Sequence, residues 1–285
     1  MISLKEAINN AVEKKQAIGH FNFSTIDGLW AIARAAINKK VSVIAGLSEG
    51  ERDFVGVRQA AALLKSIRKE LDIPIFLNAD HTYSFDRIKE AVEAGFDSVI
   101  FDGVQLEMEE NISKTAECVK WVKSVGPEII VEGELGYIGT SSTLRDAGPG
   151  DSVIPSQNTT PEDASRFVRE TNVDMFAPAV GNIHGMYSSG KDRPLDIPLV
   201  KRIRESVGVP LTLHGASGNT SAEIRAAVKN GVAIVHFNTE LRVAYRKSLA
   251  LSLQENPEEI APYKYLRPAM QAMQKVVEEK IGILV

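Results

Sequence analysis

The sequence is organised around Ile73-Pro74-Ile75-Phe76-Leu77-Asn78-Ala79-Asp80-His81, an apolar stretch that runs directly into an acid and an imidazole. We interpret residues 73–79 as a buried strand, which leaves Asp80 and His81 at its carboxyl end. At that position a rigid scaffold can aim both side chains at a ligand, so they resemble a catalytic pair. The structural alternative is that Asp80 caps the helix predicted to begin near Ser84, beside a hydrogen-bonded histidine.

The same pattern of an apolar strand followed by a helix recurs along the chain. The seven other predicted strands are residues 17–23, 41–47, 98–101, 128–135, 174–180, 209–213 and 233–237. The predicted helices include residues 1–15, 27–40, 55–71 and 85–94, the last closed by Gly95. Because strands separated by helices pair in parallel through right-handed crossovers, eight such units predict an α/β TIM (β/α)8 barrel. We expect an N-terminal helix before the barrel and a C-terminal helical extension after it.

Composition limits the classes of partner. No linker or change of composition divides the chain, so we expect a single barrel domain spanning residues 1–285. With 33 Lys plus Arg against 37 Asp plus Glu, the net charge of −4 gives no general attraction for nucleic acid or a membrane surface. The single cysteine, Cys118, cannot form an internal disulfide, which favours a cytoplasmic location. No run of about 18 apolar residues is present, so we expect no membrane span.

Two long connections follow predicted strands. Residues 136–160 are rich in Gly, Ser and Thr, and residues 185–198 also lack a clear periodicity. Long loops of this kind are commonly either functional or disordered. Because both follow strands at the carboxyl face of the barrel, where active sites lie in this fold, we favour mobile lids.

Polar residues collect at the carboxyl ends of the strands. They are Ser48, Asp80, His81, Asp102, Glu132, Glu134, His184, His214, His236 and Asn238. Three of them, His81, His184 and His214, match the three-imidazole ligand set of a catalytic zinc site. The alternative is that these are separate, hydrogen-bonded core histidines, since no short-spaced metal motif is present. His20, inside the first strand, is interpreted as structural.

A phosphate site is indicated after the last two strands. His214-Gly215-Ala216-Ser217-Gly218 precedes a helix predicted to start at Ser221, and Asn238-Thr239-Glu240 opens the next helix. Glycines let the backbone approach a ligand, and helix amino termini and hydroxyl groups donate to phosphate oxygens. The alternative is a tight turn followed by an ordinary helix cap. The coincidence of both features after strands seven and eight favours phosphate.

Five motifs in order resemble a known family. They are Asn78-Ala79-Asp80-His81, Val131-Glu132-Gly133-Glu134-Leu135-Gly136, His184-Gly185-Met186-Tyr187, His214-Gly215-Ala216-Ser217-Gly218 and Asn238-Thr239-Glu240-Leu241. They resemble the successive motifs of the class II, metal-dependent fructose-bisphosphate and tagatose-bisphosphate aldolases. The resemblance covers nearly the whole chain. It implies a lyase that reversibly cleaves a ketose phosphate, such as fructose 1,6-bisphosphate, to dihydroxyacetone phosphate and an aldehyde.

The resemblance also implies roles for individual residues. One Zn²⁺ per chain would be held by His81, His184 and His214, and Asp80 would be the acid/base. Asp102 and Glu134 would hold or orient a second divalent position. The residues expected at the substrate are Ser48, Gly185, Gly215, Ser217, His236, Asn238 and Thr239. The family implies a homodimer or homotetramer. No predicted strand has a lysine in its interior, which disfavours the alternative Schiff-base route and favours the metal.

The chain departs from the family pattern at its periphery. Ser142 replaces an acid in the long loop, His236 replaces an asparagine, and Ser188 replaces a lysine. Tyr263 stands where an arginine from the neighbouring subunit binds the distal phosphate, with Arg267 one turn later. We therefore expect an aldolase that uses dihydroxyacetone phosphate as donor. Its requirement for a phosphate group on the aldehyde substrate is expected to be relaxed or altered. Two alternatives are a weakly catalytic binding or partner subunit and a metal hydrolase, although hydrolases on this fold commonly use a His-x-His pair on the first strand.

Overall fold

Eight parallel strands close into a barrel in the computed structural model, which describes residues 2–139, 144–145, 158–187 and 194–285. The strands are β1 (Ile18–Asn22), β2 (Val43–Leu47), β3 (Ile75–Thr82), β4 (Ser98–Phe101), β5 (Ile130–Leu135), β6 (Met175–Pro178), β7 (Leu211–Leu213) and β8 (Val232–Phe237). Each strand pairs with its sequence neighbours, and β1 pairs with β8 to close the ring. The predicted TIM barrel is confirmed. A short parallel pair, Leu144–Arg145 with Met186–Tyr187, forms a separate sheet.

Helices surround the strands. They are α1 (Leu4–Glu13), α2 (Ile26–Lys39), α3 (Glu49–Val55), α4 (Val57–Leu71), α5 (Phe85–Ala94), α6 (Met108–Val125), α7 (Pro161–Thr171), α8 (Ile197–Val207), α9 (Ser221–Lys229), α10 (Thr239–Glu255), α11 (Pro262–Tyr265) and α12 (Arg267–Leu284). None of the helices within the described ranges is long and apolar enough to cross a membrane.

The prediction of one helix over residues 55–71 is wrong about where the helical region begins. Two helices, α3 and α4, occupy this region and are divided at Gly56, whose φ of +89° suits a glycine. The first of them begins immediately after β2, because the Glu51 carboxylate accepts hydrogen bonds from the backbone N–H and the hydroxyl of Ser48. The Ser48-x-x-Glu51 spacing is a helix-start signal that the apolar periodicity does not contain.

The two ends of the chain cover different parts of the barrel. Buried side chains of α1, including Leu4 and Ile8, pack against the inner residues at the amino ends of the strands. At the other terminus, α12 packs against α2 and α10 on the outside of the barrel. The N-terminal helix and the C-terminal helical extension are therefore both present.

Alternation along the strands divides the barrel interior into an apolar layer and a polar layer. Side chains two residues apart on a strand face the same side. In the apolar layer, next to α1, are Ile18 of β1, Phe76 of β3, Ile130 of β5 and Ile234 of β8. Two residues further along the same strands are His20, Asn78, Glu132 and His236, all buried. The polar side chains are thus directed to the carboxyl end of the barrel.

Both connections expected to form mobile lids fall partly outside the described residues. The middle parts of both connections, including Ser142 and Ser188, lie outside the described residues.

Candidate active site

A bulge in β3 brings Asp80 and His81 to the same cleft. Adjacent residues of a regular strand point to opposite faces. Here β3 advances three residues, from Ala79 to Thr82, while its partner β4 advances only two, from Val99 to Phe101. His81 takes a positive φ of 39°, an uncommon conformation for a residue other than glycine, and both side chains line one cleft.

The buried side chain of Arg52 supports this bulge. Its guanidinium donates to the backbone carbonyls of Leu47 and Asp80 at 2.7 and 3.1 Å, and to the Thr82 hydroxyl at 3.0 Å. The β3 prediction ended at residue 79, so both this bulge and the role of Arg52 were missed. Asp80 does not cap the following helix, because Ser84 provides that cap.

The three predicted histidines converge. One ring nitrogen of each of His81, His184 and His214 lies within 4.8 Å of the others. His81 Nε2 and His214 Nδ1 are 3.0 Å apart. His184 comes from the loop after β6, whereas His81 and His214 come from the ends of β3 and β7.

The opposite ring nitrogens are occupied by acceptors. His81 Nδ1 donates to Asp102 Oδ2 at 2.8 Å, and His214 Nε2 donates to Glu132 Oε1 at 2.6 Å. His184 Nδ1 donates to the Gly139 carbonyl at 2.6 Å. These bonds fix the orientation of the rings and direct the remaining ring nitrogens to a common point.

His81 Nε2 and His214 Nδ1 face one another at 3.0 Å, so the two nitrogens share a proton in a hydrogen bond or hold a cation between them. A divalent ion can take the place of that proton. In addition, Glu134 Oε2 is buried beside His81 without a hydrogen-bond partner among the described residues. The arrangement therefore fits a divalent metal ion, and three imidazoles match zinc better than magnesium.

The pKa values of the clustered side chains indicate that the cluster favours a positive charge. Burial disfavours a charged His81, but the carboxylates of Asp80, Glu134 and Asp102 outweigh this and raise its pKa to about 10. Burial, and then the positive charge on His81, lower the pKa of His184 to about 4. Burial and the nearby Asp102 hold the pKa of Glu134 well above its usual value. The cluster thus keeps one proton on His81 that a metal ion can replace.

Asp80 lies at the edge of this cluster and remains ionised. Its Oδ2 accepts from Asn22 Nδ2 at 2.8 Å, and its Oδ1 lies 3.4 Å from His236 Nδ1. Burial would raise its pKa, but the charge of His81 and the proximity of His236 and His20 hold the pKa well below the usual value. A buried, ionised carboxylate that faces a cleft is a candidate general base.

His20 and His236 form a stack with His214 inside the barrel. The ring of His236 lies 3.6 Å from that of His20 and 4.1 Å from that of His214. His20 Nε2 donates to Asn78 Oδ1 at 3.0 Å, in agreement with a structural histidine. Its ring packs on Gly46, where a Cβ atom would come within 2.1 Å of His20 Cε1.

Glu51 links the ends of two strands to a helix and was not predicted as a site residue. Its Oε2 accepts from Ser48 and from Asn22 Nδ2, which also donates to Asp80. Its Oε1 accepts from Arg242 Nη2 at 2.7 Å. This buried carboxylate therefore joins the ends of β1 and β2 to the first turn of α10.

The loop after β7 comes close to the loop after β6. At Gly215 a Cβ atom would lie 2.2 Å from the Ile183 carbonyl oxygen, so only glycine fits there. The carboxylate of Glu240 accepts from the Gly218 N–H at 3.2 Å, and Lys280 of α12 pairs with the same carboxylate. The predicted phosphate loop is thus held by two helices.

Nearly all of the predicted site residues line one cleft. They are Ser48, Asp80, His81, His184, Gly185, His214, Gly215, Ser217, His236, Asn238 and Thr239. Asp102 and Glu134 contact His81 from behind. Asn22, Tyr83 and Arg242 also line the cleft and were missed. Tyr263 and Arg267 line a different groove, beside Ile26 and Trp30.

The fold and the cleft define a (β/α)8-barrel protein with a three-histidine candidate metal centre at the carboxyl ends of its strands. The family described as fructose-bisphosphate aldolase class-II matches residues 2–285. The chain belongs to this family and is an aldolase, which is a lyase. The family is metal-dependent and acts on phosphorylated sugars.

Individual relatives agree with this assignment. The fructose-bisphosphate aldolase of Geobacillus stearothermophilus is 32% identical over 284 residues, which are 99% of this chain and 96% of the relative. The crystal structure of the YdjI aldolase of Escherichia coli K12 superposes with a TM-score of 0.81 at 29% identity, covering 99% of this chain and 96% of the other. The fructose-bisphosphate aldolase of Campylobacter jejuni, at 22% identity, shares the fold with a TM-score of 0.82 over 99% and 95% of the two chains.

Proposed function

We propose that the chain is a zinc-dependent aldolase that reversibly cleaves a ketose phosphate, such as fructose 1,6-bisphosphate, to dihydroxyacetone phosphate and an aldehyde. The observation that carries this proposal is the convergence of His81 Nε2 and His214 Nδ1, 3.0 Å apart, whose opposite ring nitrogens are bound to carboxylates. His184 supplies the third imidazole. When bound, the ion supplies the positive charge that stabilises the electron pair left on carbon three of the ketose.

Asp80 is the proposed general base. In the cleavage direction it takes the proton from the hydroxyl of carbon four, as the bond between carbons three and four breaks and carbon four becomes the aldehyde. The reverse reaction returns that proton to the new hydroxyl. Support comes from its lowered pKa and from the hydrogen bond of Asn22, which fixes the orientation of the carboxylate.

The supporting acids have separate proposed roles. Asp102 orients His81, and Glu132 orients His214. Glu134, with its unpartnered oxygen beside Asp102 and His81, would hold or orient a second divalent position.

The phosphate of dihydroxyacetone phosphate would bind among Gly185, Gly215, Ser217 and Thr239. Glycine is required at Gly215, and the N–H groups at the start of α10 and the loop hydroxyls are suitable donors for phosphate. Asn238 and His236 line the same cleft, and Ser48 is connected to Asp80 by hydrogen bonds through Glu51 and Asn22.

A single experiment tests the proposal. The zinc-loaded protein should cleave fructose or tagatose phosphates to dihydroxyacetone phosphate, detected by a coupled reductase. Chelation should abolish turnover, and added zinc should restore it. A protein that binds zinc but turns over no ketose phosphate would instead be a binding or partner subunit.

A further inference from the structure

His184 differs from the other two candidate metal ligands in the group that holds its ring. The rings of His81 and His214 are each bound by a carboxylate that lies in a barrel strand or directly after one. His184 Nδ1 instead donates to a main-chain carbonyl, that of Gly139, at 2.6 Å. Gly139 lies in the connection after β5, whereas His184 lies in the connection after β6. One of the three imidazoles is therefore oriented by the backbone of a different connection.

The carbonyl partner also determines which ring nitrogen of His184 is available. A main-chain carbonyl can only accept a hydrogen bond, so Nδ1 of His184 must carry the hydrogen. Nε2 is then the nitrogen that keeps a lone pair for a metal ion. The contact with Gly139 thus selects both the orientation and the tautomer of this ligand.

The contact is part of a longer pairing between the two connections. The main-chain N–H of His184 donates to the Ile138 carbonyl at 2.8 Å, so residue 184 is bound through its backbone and its ring to two consecutive residues. Further along, Met186–Tyr187 pairs in parallel with Leu144–Arg145. We call residues 138–139 and 144–145, together with residues 184–187, the loop pair. The ring of His184 is held within this loop pair.

The chain reaches the loop pair through a turn that requires glycine. Gly136 has a φ of +97°, and a Cβ atom there would lie 2.6 Å from Ala179 Cβ and 2.7 Å from Thr159 Oγ1. The Thr159 hydroxyl donates to the Leu135 carbonyl at 2.6 Å and accepts from the Ala179 N–H at 2.9 Å. Gly139 itself has a φ of +91°. The position of its carbonyl therefore depends on backbone conformations that suit glycine.

From these contacts, and resting on the proposed metal centre, we infer that the Gly139 carbonyl is a positioning group for His184, so that metal affinity and the order of the loop pair are linked. A bound ion holds the His184 ring in place and thereby stabilises the pairing. Conversely, loss of the pairing frees the ring and weakens binding of the ion. Each event changes the other by the same factor, because linkage between two sites is reciprocal.

The first test is the zinc affinity of Gly139→Ala. An L-residue rarely adopts a φ near +91°, so the added methyl group should force the peptide and its carbonyl to move. The dissociation constant for zinc, measured by competition with a chromogenic chelator, should rise by about 10- to 100-fold, the usual effect of losing the partner of a metal-bound histidine.

Two variants control for backbone strain. Gly208 ends α8 with a φ of +74°, and nothing lies within 4 Å of its Cβ position. Gly208→Ala therefore introduces comparable strain away from His184 and should leave the zinc affinity unchanged. Gly139→Asn tests rescue, because asparagine adopts positive φ more readily than alanine. Its dissociation constant should lie between those of the wild type and Gly139→Ala.

The second test measures the reverse effect in the wild type and needs no substitution, so it stands even if Gly139→Ala does not fold. Hydrogen–deuterium exchange followed by mass spectrometry reports the protection of the main-chain N–H groups of residues 184–187. Zinc should slow their exchange by about tenfold or more, within the usual range for linked sites. Exchange in α4 (Val57–Leu71) is the reference for overall stabilisation.

The outcomes separate this inference from the proposed function. Zinc-loaded wild type whose residues 184–187 exchange as fast as in the metal-free protein overturns the inference. So does a zinc dissociation constant of Gly139→Ala within about threefold of the wild type, or an equal loss of affinity in Gly208→Ala. Wild type that binds no zinc overturns the metal centre and the proposed function with it. Wild type that shows the linkage but cleaves no ketose phosphate overturns the proposed function alone.

Discussion

His214 Nε2 lies 2.6 Å from Glu132 Oε1, and this contact determines which nitrogen of His214 faces His81. Without the carboxylate, either tautomer of His214 is available. We therefore expect Glu132→Ala to weaken zinc binding by about 10- to 100-fold, the usual effect of removing a partner that orients a metal-bound histidine. The dissociation constant is measured by competition with a chromogenic chelator.

Glu132→Gln is the matched comparison. Its amide oxygen can still accept from His214, and its amide nitrogen can donate to Thr212, which at present donates to the other carboxylate oxygen. The loss of affinity should be clearly smaller than in Glu132→Ala. Equal zinc affinity in both variants and the wild type would contradict an orienting role for Glu132.

We expect one equivalent of tightly bound zinc per chain, held by the three converging imidazoles. His214→Ala should lose the metal, because it removes one of three protein ligands. Elemental analysis of the purified protein, before and after incubation with zinc, measures the content. Less than about a tenth of an equivalent in the wild type after loading would show that the cluster is not a metal site.

Removal of the proposed base should separate chemistry from metal binding. Asp80→Ala should lower kcat by about 10²- to 10⁴-fold while zinc content stays unchanged, since Asp80 contacts Asn22 and is not one of the three imidazole ligands. Steady-state cleavage and elemental analysis on the same preparation give both values. Asp86→Ala, at an exposed position on α5, is the control. Activity of Asp80→Ala within about tenfold of the wild type would exclude Asp80 as the essential base.

The histidine stack depends on a glycine, Gly46, in β2. Gly46→Ala would place a Cβ atom 2.1 Å from His20 Cε1, which must displace the ring or the strand. We expect a loss of about 1–3 kcal/mol in the free energy of unfolding. Urea denaturation measures this change.

Gly50→Ala is the control for that substitution. It lies inside α3, and nothing approaches its Cβ position within 4 Å. Because alanine is favoured over glycine in a helix by about 1 kcal/mol, Gly50→Ala should be neutral or stabilising. A loss of stability in Gly50→Ala equal to that in Gly46→Ala would show that contact with His20 is not the cause.

The sequence predicts the barrel and the convergence of His81, His184 and His214, because parallel strands bring their carboxyl ends to one rim. Strand alternation also accounts for the buried polar layer of His20 and His236. The bulge at Asp80 was not predictable from periodicity, since a shift of one residue depends on how β3 pairs with β4.

The site residues that lie on helices could not be identified from the sequence for a different reason. Glu51, Arg52 and Arg242 reach the site from the first turns of α3 and α10, and their partners are set by packing between distant parts of the chain. Only the Ser48-x-x-Glu51 spacing carried a local signal. Tyr263 lines a separate groove of its own chain. Because the family resemblance places this position at the substrate of the neighbouring subunit, its role stays a prediction.

The contact of Lys280 with Glu240, which holds Gly218, has a consequence for biosynthesis. The ribosome synthesises the chain from its amino terminus, so His81, His184 and His214 emerge before β8 and α12 do. Until those last elements emerge, β1 has an unpaired edge and the loop after β7 lacks its two helical supports. The nascent chain therefore carries every candidate metal ligand well before it can form the closed barrel that aligns them.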